Sequence, residues 1–134
     1  MVSRTFPATD DSFVEANAWV EEELEKAGAS MKSMMQVTVC FEEIFVNVAH
    51  YAYGEGTGDV ELVLDCVDGV FSVTFIDSGM FFDPLAKEDP DITASAEERR
   101  IGGLGILMVK KSMDDVSYEY KDNKNIFTMK KNIL

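Results

Sequence analysis

Residues 59–77 read DVELVLDCV-DG-VFSVTFID. Apolar side chains alternate with polar ones on both sides of Asp68-Gly69, the period of two shown by half-buried strands. Asp-Gly between two such runs is a strong hairpin signal, because both turn residues tolerate positive φ. Residues 116–121 and 125–133 form a second pair of strand-like runs around Asp122-Asn123-Lys124. Consecutive hairpins predict antiparallel pairing rather than alternating β–α–β units.

Toward the N-terminus, residues 2–6 read as a short edge strand ended by Pro7. Thr9 and Asp10 are good N-cap types ahead of Phe13, Ala16, Trp19 or Val20, and Leu24 at helical spacing, and Gly28 ends that helix. Ser30 caps a longer helix through about Tyr53, with Met34, Val37, Phe41, Ile44, Val48 and Tyr51 on its apolar face. Residues 79–102 lose periodicity and carry Pro84 and Pro90; such a stretch in a compact domain tends to be functional, here a lid. A third helix follows from about Leu104 to Met113. The fold class is α+β: a two-layer sandwich, its mostly antiparallel sheet covered on one face by about three helices.

Composition narrows the function. The chain has 134 residues, 46% of them hydrophobic, which suits one folded domain over residues 1–134 and excludes a disordered one. It carries 25 acidic and 12 basic side chains, a net charge of −13. A field of that sign repels nucleic-acid phosphate and anionic lipid, so neither nucleic acid nor membrane is an expected partner. Cys40 and Cys66 sit in apolar stretches and read as reduced core thiols of a cytoplasmic protein. His50 is the one histidine and there is no CxxC pair, which argues against a zinc site built by the protein.

Three groups can carry chemistry. Glu43 and Asn47 lie four apart on the second helix, hence on one face, in a segment too apolar to have much solvated surface. Asp77-Ser78-Gly79 closes a hydrophobic strand, where an unpaired carboxylate is costly unless a ligand donor satisfies it. Arg100-Ile101-Gly102-Gly103-Leu104-Gly105 precedes the third helix, and glycines there expose backbone N–H groups to an anion. Each has an ordinary alternative: a polar stripe, a turn, a tight loop-to-helix junction. Neither a dinucleotide fingerprint nor a GxxxxGK[ST] loop is present.

Taken together, Glu43-x-x-x-Asn47, Asp77-x-Gly79 and a long loop ending in Gly102-Gly-Leu-Gly105 resemble the GHKL superfamily, the Bergerat ATP-binding fold of gyrase, a heat-shock chaperone, histidine kinases and MutL. Within it the chain looks most like small anti-sigma factor serine/threonine kinases. The likeness runs from Phe6-Pro7-Ala8 to the closing Asn125-Ile-Phe-Thr-Met-Lys130. It implies an ATP-dependent protein serine/threonine kinase with Mg2+. Its partners by resemblance are an anti-sigma factor antagonist of the STAS type, a sequestered sigma factor and a second copy in a homodimer. Glu43 matches the general base, and Asn47 the Mg2+ ligand and an ATP contact. Asp77 matches the acceptor for the adenine amino group. Gly79, Gly102, Gly103, Leu104 and Gly105 match the ATP-binding backbone, and Arg100 a contact to the terminal phosphate.

Some positions depart from that pattern. Phe81 stands near a second glycine of many relatives, and Tyr51 at a position that is often histidine. Asn125 stands where relatives often have a threonine near the base, and His50 reads as structural. Two rivals remain: a non-catalytic ATP-responsive binding module, and an interaction domain without nucleotide. Retention of Glu43 and Asn47 argues against the first, and of Asp77 and Gly79 against the second.

Overall fold

A computed structural model describes residues 1–85 and 104–134. The chain runs β1 (Val2–Pro7), α1 (Asp10–Lys26), α2 (Met31–Asn47), one π-helical turn (Val48–Ala52), β2 (Asp59–Val67) and β3 (Val70–Asp77). It then continues through α3 (Leu104–Ser112), β4 (Asp115–Lys121) and β5 (Lys124–Asn132). Five strands form one sheet in the order β1-β2-β3-β5-β4, every neighbouring pair antiparallel. Most of the expected lid, residues 86–102, lies outside the described residues.

Turn chemistry sets both hairpins. Asp68 and Gly69 have φ of 52° and 78°, and Asp122 and Asn123 of 54° and 62°. Two consecutive residues at positive φ make the turn whose twist matches that of the flanking strands. Pro7 belongs to β1 rather than ending it, opposite Asp59; β1 is an edge strand, where a missing N–H costs no ladder bond. The two long helices start differently. Ser30 Oγ accepts from Ser33 N at 3.1 Å, an N-cap bond, whereas the Thr9 hydroxyl meets Ser12 Oγ at 3.0 Å and caps no backbone N–H.

Strand parity builds the core. Phe71, Val73, Phe75 and Asp77 alternate inward along β3, and Asn125, Phe127 and Met129 along β5. These face Val37, Phe41, Ile44 and Phe45 of α2, with Phe41 stacked on Phe75 at 5.4 Å between ring centres. Arg4 closes the other end, its guanidinium 4.7 Å from the Phe6 ring centre and its Nη2 2.9 Å from Glu15. The same parity that buries Phe75 therefore carries Asp77 to the end of the core.

Two further expectations need correction. The second helix does not continue as an α-helix to Tyr53: a π-helical turn begins at Val48, and its wider turn rotates Tyr51 off the apolar face into solvent. Cys66 is not a core thiol. It shares the inward parity of Leu62 and Leu64 but lies at the end of β2, on an open cleft bordered by Glu23 and Lys26 of α1, and is exposed; Cys40 is buried.

Candidate functional site

Glu43 and Asn47 occupy the last turns of α2, both partly buried, while the neighbouring Glu42 faces solvent. The Glu43 carboxylate lies against the first turn of α3. A Cβ on Gly105 would stand 1.8 Å from Glu43 Oε1, so only glycine leaves room for the acid there. Helix N-termini present free N–H groups and positive potential, so this carboxylate borders a place suited to anions. Among the described residues, no side-chain hydrogen bond engages Glu43 or Asn47. Asn47 therefore presents an uncommitted amide one helical turn beyond the acid.

Asp77 forms the second cluster. Its Oδ1 accepts from the backbone N–H of Gly79 at 2.9 Å and from Asn125 Nδ2 at 3.0 Å, while no described residue donates to Oδ2. Asp77 and Asn125 are cross-strand partners in the β3–β5 register, and both are buried. Asn125 also donates to the carbonyl of Met80 at 2.8 Å and accepts from the N–H of Phe82 at 3.2 Å. The Tyr118 hydroxyl donates to Asn125 Oδ1 at 2.5 Å.

The chain between the two clusters joins them. The N–H of Met80 donates to the carbonyl of Ala52, in the π-helical turn, at 2.8 Å. Gly79 packs so closely that a Cβ would stand 2.2 Å from the same oxygen. Its glycine is thus required by the protein's own backbone. Tyr53 follows the turn: its hydroxyl donates to the carbonyl of Asp59 at 2.5 Å and accepts from the N–H of Ser78 at 3.0 Å. Burial pushes the Tyr53 phenol above its ordinary value, and the Asp77 and Asp59 charges add to the rise against the Ser78 bond. Burial likewise raises Tyr118, with Asp83 adding to it. His50, on the same turn, meets Asp10 at 2.9 Å on the surface, the structural role its position suggests.

Of the residues singled out in the sequence, Glu43 and Gly105 come into contact, as do Asp77 and Gly79. Leu104 begins α3; Arg100, Gly102 and Gly103 lie outside the described residues. Tyr118 carries no sequence signal of its own. Asn125 does carry one, as a polar residue on the inward parity of Phe127 and Met129. Among the described residues no three His, Cys, Asp or Glu side chains gather as a metal site, and no helix is long and apolar enough to cross a membrane.

The serine-protein kinase RsbW of Listeria monocytogenes is 26% identical over 110 residues, covering 78% of this chain and 70% of that protein. The serine/threonine-protein kinase BtrW of Bordetella bronchiseptica is 24% identical over 122 residues, covering 90% and 86%. A crystal structure of RsbU and RsbW domains from Mycobacterium tuberculosis superposes with a TM-score of 0.68 at 14% identity, over 99% of this chain and 33% of that longer one. At that identity the likeness is one of fold. The sequence profile of the histidine kinase-like ATPase domain matches residues 6–131, nearly the whole chain, and the chain belongs to that family.

Proposed function

We propose that the chain binds ATP and transfers its terminal phosphoryl group to a serine or threonine hydroxyl of a small protein. The observation that carries this reading is the seat of Glu43: an uncommitted carboxylate against the bare first turn of α3, one helical turn before Asn47. That puts a proton acceptor beside a helix N-terminus, where phosphates bind. Glu43 takes the proton of the accepting hydroxyl as that oxygen bonds to the γ-phosphorus and the bond to ADP breaks. Asn47, with its uncommitted amide oxygen, would hold Mg2+, which would spread the phosphate charge. Asp77 Oδ2 accepts from the adenine amino group, and guanine, with a carbonyl at that place, sets acceptor against acceptor. Gly105 admits Glu43, and Gly102, Gly103, Leu104 and Arg100 complete the phosphate side.

The relatives named as serine-protein kinases support protein phosphorylation. We assign as substrate an anti-sigma factor antagonist of the STAS type, with a sigma factor as the sequestered partner and a homodimer as the acting form. A chain of net charge −13 suits partners that present a basic face.

The test is calorimetry with Mg-ATP and Mg-GTP, followed by ATP turnover, on wild type and Glu43→Ala. Selective ATP binding, with turnover lost and affinity kept within a few-fold in Glu43→Ala, supports the kinase reading, since a base acts mainly in the transition state. Equal turnover in the variant removes Glu43 from the mechanism, ATP binding without turnover in wild type leaves an ATP-responsive binding module, and binding of neither nucleotide removes the site.

A further inference from the structure

The Asp77–Asn125 pair holds more information than a buried polar contact needs. The two residues are 7% and 6% exposed, so the hydrogen bond between them is made out of water. The Asn125 carboxamide uses all four of its bonding positions. Its NH2 donates to Met80 O and Asp77 Oδ1, and its oxygen accepts from Phe82 N and Tyr118 Oη. Two of these partners are main-chain groups with no choice of role. Phe82 N–H can only donate and Met80 C=O can only accept. A flipped amide would set N–H against N–H, oxygen against carbonyl and oxygen against carboxylate. The orientation of Asn125 is therefore fixed by chemistry and not by assignment.

One consequence follows for residue 77. The second Nδ2 proton of Asn125 and the N–H of Gly79 converge on the same atom, Asp77 Oδ1. Whatever side chain stands at 77 must put an acceptor at that point. A carboxylate satisfies this with either oxygen and offers the other as a second acceptor. A carboxamide has one way to satisfy it: oxygen toward Gly79 and Asn125, NH2 where Oδ2 was.

We propose that Asn125 is a positioning residue that sets the polarity with which residue 77 reads a purine 6-substituent. This inference rests on the reading of Asp77 as the base contact. It makes Asp77→Asn a reversal of the base reading rather than a simple loss: the group facing the ligand changes from acceptor to donor. A 6-aminopurine then meets a donor, and a 6-oxopurine meets the partner it lacked.

The experiment is calorimetry with Mg-ATP and Mg-ITP, since inosine tests the 6-oxo group without guanine's added 2-amino group. Wild type is expected to prefer ATP by about tenfold or more, one buried hydrogen bond's worth of discrimination. Asp77→Asn is expected to prefer ITP, and Asp77→Asn with Asn125→Ala to prefer it clearly less, because only the Gly79 N–H is left to orient its amide. Loss of both nucleotides in Asp77→Asn, or a reversed preference undiminished by Asn125→Ala, overturns the inference while leaving Asp77 as the base contact; an unchanged ratio in Asp77→Asn overturns the inference too, and with unchanged ATP affinity it removes the base contact as well. A wild type that binds neither nucleotide overturns that contact and the inference with it. Should the double variant not fold, NMR on wild type decides: the Asn125 side-chain protons must show an NOE to the Gly79 amide, and its absence counts against the converging donors.

Discussion

Gly105 and Glu43 share one space: the glycine's missing side chain is the room in which the carboxylate lies, since a Cβ there would come within 1.8 Å of Oε1 and 2.0 Å of Cδ. The atoms in the way are the far end of a flexible side chain, so Gly105→Ala can be accommodated by swinging Glu43 aside. Alanine also favours the helix by about 1 kcal/mol over glycine. The variant should therefore keep or gain stability while phosphoryl transfer falls by roughly a hundredfold, the scale of a misplaced catalytic group. Thermal melting paired with a turnover assay checks this, and full turnover would show that Glu43 does not act from this seat.

Gly79 poses the opposite case. A Cβ there would meet the carbonyl oxygen of Ala52 at 2.2 Å and its carbon at 2.6 Å, main-chain atoms that cannot turn away. Gly79→Ala must push the Asp77 loop off the π-helical turn and break the 2.8 Å bond from Met80 N to Ala52 O. A loss of about 1–3 kcal/mol is expected in urea unfolding, the usual cost of overpacking, together with weakened ATP binding. Stability equal to wild type would mean that the loop does not rest on Ala52.

How much of this was legible beforehand depends on the range of the interaction. The hairpins could be read from Asp68-Gly69 and Asp122-Asn123 because turn chemistry is local. Glu43 and Asn47 could be paired because four residues on a helix is a fixed geometry. The break at Val48 could not: nothing in Val48–Ala52 opposes an α-helix, and the features that meet this turn, the Gly79 loop and Asp10, come from elsewhere in the chain. Cys66 shows the same limit, since its β2 parity is inward and only the open cleft beside Glu23 and Lys26 leaves it exposed. Likewise Asn125 reads as a departure from a family pattern until β3 and β5 are placed side by side and Asp77 appears opposite it.

The two cysteines should separate by reactivity. Cys66 is exposed at the end of β2, whereas Cys40 is buried one helical turn before Glu43. Burial pushes the Cys40 thiol up, against a hydrogen bond with Ser112 and the nearby Lys131 charge that lower it. The thiolate is the reacting form, so both access and protonation protect Cys40. A disulfide reagent at neutral pH should label one thiol rapidly, and Cys66→Ser should abolish that phase. Cys40 should react only as fast as the core opens. Two equally fast thiols would contradict the packing of α2 against α3.

Alkaline pH should expose the work of the tyrosines. Burial holds both Tyr53 and Tyr118 above the ordinary phenol value in the folded chain. Below about pH 9 the phenols are protonated in folded and unfolded forms alike, and they add no pH dependence. Above it the unfolded chain releases these protons first and so binds fewer than the native one. Unfolding stability must then fall as pH rises, until the native phenols also ionise. Tyr53→Phe removes one of those protons and also the hydroxyl that joins Asp59 O to Ser78 N. At neutral pH it should cost about 1–2 kcal/mol, while the stability it retains should decline less steeply between pH 9 and 11 than that of wild type. Urea unfolding across that range measures both effects in one series. A Tyr53→Phe slope as steep as wild type would assign the alkaline loss to other groups and leave the Tyr53 hydroxyl with only its bridging role.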